Sequence, residues 1–410
     1  METPTAPDEA GDTADAHQLV TDAVQQGDLA ALSLIAVLIQ QQVTGGVCKA
    51  IDRYRDLQQR SLAHIAIQLN NLEVLDFVLA SGLDPDLSCK DSDGHSPMSV
   101  AVLARNVNAV RVLLSFGTSV RQCDGDLHTL LHLLAMNSVE NVEDGAAVVD
   151  VLVRSGEVDV NGRDGSGNTP LHLAAVYGSP AIANRLLTQA GANVNAVNEG
   201  GSTPLHFATA TGDYEIARAL IDAGADVNTT NLLGNTPLID AAFVSQSSPP
   251  HFAFGDQHTQ SKVVKLLLEN GADTNAINHD GNNALFGAVR NEFEDVICQL
   301  SRQQQESSRG FQQRNNRGET LLHVAARAQV TNVSIWETLL RLCEVESVNT
   351  LDQFERSCVG IWMAWPQRTG GDLDEHDSVG GSTSSPDASE SVDSGTQAVA
   401  KLLLSMTSCS

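Results

Sequence analysis

Five histidines are the residues in this chain whose recurrence first suggests chemistry: His64, His132, His172, His206 and His323. Imidazole is a common metal ligand and a general acid or base near neutral pH. Each stands three residues after a hydroxyl residue, at Ser61, Thr129, Thr169, Thr203 and Thr320. One histidine per repeated stretch spreads the rings along the chain, so no shared centre is expected from them. Cys123, His128 and His132 have zinc-like spacing, but no fourth ligand accompanies them. His251 and His258 are a pair alone, a weak ligand set. The turns holding Asp91 and Asp93, or Asp124 and Asp126, are reminiscent of calcium loops but lack the pattern that ends in Glu. There is no P-loop, nucleophile elbow, zincin helix or kinase signature. No catalysis, cofactor or metal is therefore expected.

What positions the histidines is a repeated unit. Asn168-Thr169-Pro170-Leu171-His172-Leu173-Ala174-Ala175 returns as Ser202-Thr203-Pro204-Leu205-His206-Phe207-Ala208-Thr209, and Asn235-Thr236-Pro237-Leu238 begins a third copy. The anchors Thr169, Thr203 and Thr236 are 34 and 33 residues apart. Two units close alike, on Gly191-Ala192-Asn193-Val194-Asn195 and Gly224-Ala225-Asp226-Val227-Asn228. A threonine can cap the orphan N–H groups of a helix, and a proline at the next position gives up an N–H that has no partner there. A first helix should run from Pro170 to Gly178, with Leu171, Ala174 and Ala175 facing neighbours. Ser179-Pro180 should start a second helix, whose row Ile182, Leu186 and Leu187 ends at Gly191 in a left-handed position. Residues 193–198 then form a projecting finger. So small a hairpin cannot bury its own apolar face, and its stability must come from stacking copies.

This period and its T-P-L-H-x-A core resemble the ankyrin family closely, over residues 18–365 and the last helix of the chain. The resemblance implies an all-α ankyrin-repeat solenoid of helix-turn-helix units with finger loops, acting as a non-catalytic scaffold. In that pattern Thr169, Pro170, His172, Thr203, Pro204, His206, Thr320 and His323 are structural, and the histidine hydrogen-bonds within and between units. Partners bind along a concave groove formed by the ends of the first helices and the fingers. By register the groove includes Val176 and Tyr177, Phe243 and Val244, Arg290 and Arg327. Tyr177 and Phe243 are the expected aromatic anchors, while Arg290, Arg309, Arg314, Arg317 and Arg327 make a basic region able to receive an acidic peptide. Leu187, Leu220 and Leu267 precede Asn195, Asn228 and Asn275 by eight residues. That spacing is similar to ankyrin asparagines hydroxylated by an oxygen-sensing hydroxylase.

Charge and composition narrow the partner. With 24 basic and 51 acidic residues the net charge is −27, which disfavours nucleic acid and anionic lipid and favours basic or apolar peptide segments. A hydrophobic fraction of 42% with only 4% aromatic residues suits a core of small aliphatic side chains in helix pairs. Cys48, Cys89, Cys123, Cys298, Cys343, Cys358 and Cys409 are scattered, as for reduced thiols in a cytosolic protein. Leu29 to Ile39 is apolar but too short to span a membrane, which predicts a buried helix.

In chain order, residues 1–16 read as a disordered acidic start and 17–60 as a divergent cap within an array running to 365. Units begin at Ser61, Ser96, Thr129, Thr169, Thr203, Thr236, Asn283, Thr320 and Ser357. The long spacings place loops at 137–145 and 245–258. Residues 366–395 read as a disordered insertion, and 396–410 as the displaced second helix of the last repeat, since Val399-Ala400-Lys401-Leu402-Leu403 resembles Val263-Val264-Lys265-Leu266-Leu267. The absence of a polar capping repeat predicts that this is the front part of a longer protein. Asp280-Gly281-Asn282-Asn283-Ala284-Leu285 and Asn316-Arg317-Gly318-Glu319-Thr320-Leu321 resemble late repeats of the endosomal ankyrin-FYVE proteins of the Rabankyrin type. An endosomal trafficking scaffold is therefore one expected role beside a cytoplasmic adaptor, and a regulatory fragment of an ankyrin-bearing enzyme or channel is another.

Overall fold

The computed structural model describes residues 9–40, 55–83, 86–121, 123–137, 142–243, 257–304, 313–343, 350–363 and 398–403. The chain divides into two compact units, Met1–Asn193 and Val194–Ser410. Among the described residues the regular structure is helical, apart from an isolated bridge between Cys123 and Thr129.

The first unit holds α1 (Glu9–Gln26), α2 (Leu29–Gln40), α3 (Leu62–Gln68), α4 (Leu72–Ala80), α5 (Pro97–Leu103), α6 (Val107–Ser115), α7 (Leu130–Met136), α8 (Val142–Arg154), α9 (Pro170–Val176) and α10 (Pro180–Thr188). Its short first helices α3, α5, α7 and α9 pack in series, as do the second helices α4, α6, α8 and α10. The second unit repeats the plan with α11 (Pro204–Thr211), α12 (Tyr214–Asp222), α13 (Pro237–Ala242), α14 (Gln257–Glu269), α15 (Ala284–Arg290), α16 (Glu294–Gln304), α17 (Leu321–Arg327), α18 (Val333–Leu342) and α19 (Cys358–Met363). There α11, α13, α15, α17 and α19 form the first row, and α12, α14, α16 and α18 the second. Each helix alone is too short to persist in water, so the stacking is what holds it. Prolines open α5, α9, α11 and α13, and Asn71, Asn106 and Asp213 cap α4, α6 and α12 through side-chain oxygens.

The fingers share one turn that sequence reasoning did not single out. Five residues before each anchor stands an Asp or Asn: Asp56, Asp91, Asp124, Asp164, Asn198, Asn231, Asn278, Asn315 and Asp352. Its Oδ1 accepts the backbone N–H two and four residues on, as Asp164 does from Ser166 and Asn168 at 2.8 Å each. Asn315 does the same from Arg317 and Glu319 at 3.0 Å each. Such an Asx turn forces its fourth residue into left-handed backbone, where glycine fits. Gly201, Gly234, Gly281 and Gly318 occupy that place in the second unit. A Cβ there would meet the next finger, at 3.0 Å from the Leu232 N for Gly201 and 2.9 Å from the His279 N for Gly234.

Three fingers put a side chain at this position: Gln59, Leu127 and Glu355, with φ of 59°, 62° and 59°. Leu127 is 55% exposed, so it gains little from burial while bearing the left-handed cost. Leu127→Gly should stabilise the fold by about 0.5–1 kcal/mol. A melting temperature that falls or stays fixed would show that the turn is not strained there.

Three boundaries differ from the sequence expectations, and so does the burial of one helix. Residues 9–16, expected to be disordered, belong to α1. The loop expected over 137–145 ends sooner, because α8 begins at Val142 and buries Gly145 against the Arg105 guanidinium. The loop expected over 245–258 also ends sooner, with α14 beginning at Gln257, and residues 244–256 lie outside the described residues. The helix expected to be buried at Leu29 to Ile39 is buried on one face only, at Leu32 and Ala36, while Leu34 and Val37 face solvent.

Residues 366–395, read as an insertion, lie outside the described residues. A helix at 398–403 buries Val399 and Leu403, matching Val263 and Leu267 in α14. Ser357 caps the preceding α19, its hydroxyl accepting from the Gly360 N at 3.1 Å.

Candidate partner-binding surface

The repeated histidines point inward and are spent on architecture. Thr203 N donates to His206 Nδ1 at 3.0 Å, which leaves Nε2 as the protonated nitrogen, and Nε2 donates to the Asn235 carbonyl at 3.1 Å. His64, His132 and His323 reach the carbonyls of His95, Asn168 and Arg356 in the same way, at 3.0, 2.9 and 3.1 Å. The accepting carbonyl always belongs to the residue before the next anchor, so each imidazole joins the start of one first helix to the following finger. His172 likewise accepts from Thr169 N, at 3.1 Å. Burial pushes the His206 imidazole down to about 4 and lowers His132 and His323 as well. Where the histidine is replaced, the hydroxyl reverts to plain capping: Thr236 Oγ1 accepts from Ile239 N at 3.3 Å and Ser96 Oγ from Ser99 N at 3.2 Å.

The residues with metal-like spacing take part in the same turns. His132 has both ring nitrogens engaged, by Thr129 N at 3.1 Å and by the Asn168 carbonyl. His128 lies 2.9 Å from Asp124 and 3.8 Å from Asp164, bracing two fingers. Asp91, Asp93 and His95 bring ligand atoms within 4.8 Å of one another. Asp91 Oδ1 meanwhile accepts from the backbone of both Asp93 and His95, which is the turn every finger makes. His258 is exposed in α14, and His251 lies outside the described residues.

The groove residues fall into different circumstances. Val176 and Tyr177 are half-buried at the end of α9 in the first unit. In the second unit Phe243 is half-buried with its ring laid over Gly287, whose added Cβ would stand 2.4 Å from the ring. Val244 and Arg309 lie outside the described residues. Arg290 and Arg317 are exposed. Arg327 sits 3.4 Å from the buried carboxylate of Glu319, and Arg314 donates to the Leu351 carbonyl at 2.8 Å.

Asn195 and Asn228 are exposed rungs between fingers. Their Oδ1 atoms accept from Asp226 N at 2.9 Å and Asp273 N at 2.8 Å, and their amides donate to the Gly224 and Gly271 carbonyls. Asn275 is exposed, with its backbone N–H donated to Asp273.

The surface that sequence reasoning missed lies at the fingertips of the second unit. Leu232 and Leu233 are 67% and 66% exposed, flanked by Val197 on the preceding finger and Ile277 on the following one. Leu232 N donates to the Gly200 carbonyl and His279 N to the Leu233 carbonyl, each at 2.9 Å, so three successive tips are tied in a row. Glu199, Asp226, Asp273 and Asp280 are exposed among them. Apolar residues within two positions of a finger Asp or Asn, Val197, Leu232, Leu233 and Ile277, are the signal that would have found this strip.

A stack of helix hairpins with buried imidazole ties and projecting tips defines a class of protein, the solenoid built for protein–protein contact. The family described as "Ankyrin repeats (3 copies)" matches residues 63–144, 116–198, 135–231, 190–249 and 251–350. The chain belongs to the ankyrin-repeat family, and it carries the protein-interaction module typical of that family. It is 31% identical over 134 residues to alpha-latrotoxin-Lg1a of Latrodectus geometricus, covering 32% of this chain and 9% of the toxin. It is 31% identical over 136 residues to Rabankyrin-5 of Mus musculus, covering 32% of this chain and 11% of that protein. It is 29% identical over 129 residues to human transient receptor potential cation channel subfamily A member 1, covering 31% and 11%. The matched stretch is thus a small part of each of these relatives. Among the described residues no helix is long and apolar enough to cross a membrane.

Proposed function

We propose that this chain is a non-catalytic scaffold or adaptor that holds partner proteins on the fingertip strip and groove of its second unit. The observation that carries the reading is the exposed pair Leu232 and Leu233 between Val197 and Ile277, set among carboxylates. Apolar side chains that a fold leaves together in water favour an interface, and a rim of carboxylates favours a segment with apolar anchors and basic neighbours. Arg290 and Arg317, both exposed, would receive an acidic part of the partner, with Arg327 beside them engaged by Glu319. In the first unit Val176 and Tyr177 offer a second, smaller contact. The exposed faces of Asn195, Asn228 and Asn275 stand open to hydroxylation, which mass spectrometry of the purified protein would detect.

The test is quantitative affinity purification comparing the wild-type chain with a Leu232→Ser, Leu233→Ser variant. Both leucines are largely exposed, so the variant should fold and should lose a defined subset of partners by about tenfold or more. An unchanged partner list would remove the strip from consideration.

A second reading, an endosomal trafficking scaffold, is favoured by the similarity of the late finger turns to the Rabankyrin type and by the match to Rabankyrin-5. Location on endosomes in cells expressing the tagged protein from its own locus supports it; uniform cytoplasmic distribution supports the adaptor alone. The similarity to a cation channel subunit keeps a regulatory segment of a channel or enzyme as the third reading.

A further inference from the structure

The N-terminal hairpin carries an anomaly that the fingertip reading does not use. Helix α2 buries Leu32 and Ala36, and α2 packs on α1, which in turn packs on α3. Yet Ala30, Ser33, Leu34 and Val37 are all exposed, Leu34 by 62% and Val37 by 45%. Offsets of three, four and seven residues place these side chains on one face of the helix. The stripe contains no charge, and Leu19 on α1 is exposed as well, by 66%. Elsewhere the outer faces of second helices carry charge, as with Arg218 and Asp222 on α12 or Lys265 and Glu269 on α14. An outer stripe of Ala, Ser, Leu and Val is the pattern of a helix that expects another helix beside it, with the small residues allowing close approach.

Charge selects the occupant. No lysine or arginine precedes Lys49, whereas Glu2, Asp8, Glu9, Asp12, Asp15, Asp22 and Asp28 all do. Asp22 stands on α1 and Asp28 at the cap of α2, where its Oδ1 accepts from Ala30 N and Ala31 N at 3.0 Å each. A second copy of this hairpin would bring the same carboxylates into opposition, and an anionic bilayer would be repelled by them. A helix with lysines or arginines flanking an apolar stripe meets both features at once.

We propose that the α1–α2 hairpin is a docking face for a basic amphipathic helix of another protein, whose apolar stripe lies along Ala30, Ser33, Leu34 and Val37. Its basic flanks then reach Asp22 and Asp28. This face uses residues different from the fingertip strip and stands or falls without it.

The probe is a dye-labelled synthetic amphipathic helix of leucine and lysine, titrated against the full chain by fluorescence anisotropy. Leu34→Ser with Val37→Ser should weaken binding about tenfold or more, and Asp22→Asn with Asp28→Asn should weaken it severalfold while flattening its salt dependence. Leu57→Ser, at an exposed finger of the same unit, should leave it unchanged. Equal affinity for the wild type and the Leu34/Val37 variant overturns the proposal. So does sedimentation showing a wild-type dimer that this variant dissolves, which would assign the face to a second copy. A large fall in the melting temperature of the variant also overturns it, because the face would then be covered by the chain itself.

Discussion

Lowering the pH from 7.5 to 5 should remove about 2 kcal/mol of stability from the second unit through His206 alone, on the way to a full loss of about 3 kcal/mol. The unfolded imidazole binds its proton near 6.5, and the folded one only near 4 because burial disfavours the cation. Between those values the unfolded state holds more protons, so stability rises with pH and is lost as pH falls through the window. His323 is shifted the same way by burial and adds to the slope of the second unit, as His132 does in the first. Asp240 acts in the opposite sense. Its carboxyl is pushed up to about 7 by burial, against the amide of Asn235 that donates to it at 2.7 Å. The folded state then holds the extra proton between 3.8 and about 7, so this group costs stability as pH rises through that range. Acidification therefore returns through Asp240 an amount comparable to the His206 loss, and substitution is what separates the two. His206→Gln keeps a side-chain donor for the Asn235 carbonyl and cannot titrate. On going from pH 7.5 to 5 the urea midpoint should therefore drop for Asp240→Asn relative to the wild type, and His206→Gln should lose least or gain. Equal pH slopes in wild type and His206→Gln would show that the buried imidazole is not what acid attacks.

The elements that carried strong local signals were legible in the sequence. Thr169, Thr203 and Thr320 mark helix starts because a hydroxyl residue followed by a histidine three positions on can satisfy the open N–H groups of a first turn, and the structure places all three there. Gly178 and Gly191, at φ of 65° and 70°, mark the stops. The finger turns were harder, because Asp and Asn recur throughout a polar loop and only the hydrogen bonds reveal which one organises the turn. Surface chemistry was harder still. Helical spacing shows that a residue such as Phe243 stands at a groove position, but it cannot show that the neighbouring helix carries a glycine beneath the ring. The same limit applies to α2, where an uncharged run is consistent with burial on all sides until packing shows that one face has no neighbour.

Gly287→Ala should destabilise the second unit by about 1–2 kcal/mol even though alanine is the better helix former. Gly287 is buried in α15, and an added Cβ would stand 2.4 Å from Phe243 Cδ2 and 2.8 Å from its Cγ and Cε2. Neither helix backbone nor ring can accept those distances, so the ring must leave its seat or α13 and α15 must part. In a Phe243→Ala background the obstacle is gone, and Gly287→Ala should instead stabilise by about 0.5–1 kcal/mol, the ordinary helix-propensity gain. The reversal of sign corresponds to a coupling of about 1.5–3 kcal/mol in a double-mutant cycle. Its measurement also separates two roles for Phe243. If the ring is packing, partners retained by the wild type should be retained by Phe243→Leu, which keeps an apolar side chain over Gly287. If the ring is a partner's anchor, Phe243→Leu should lose binding while Gly287→Ala, by driving the ring outward, should alter affinity without altering the residue that makes contact. Additive effects in the cycle would mean that the ring does not rest on the glycine at all, and the groove at this point would then be open where the structure closes it.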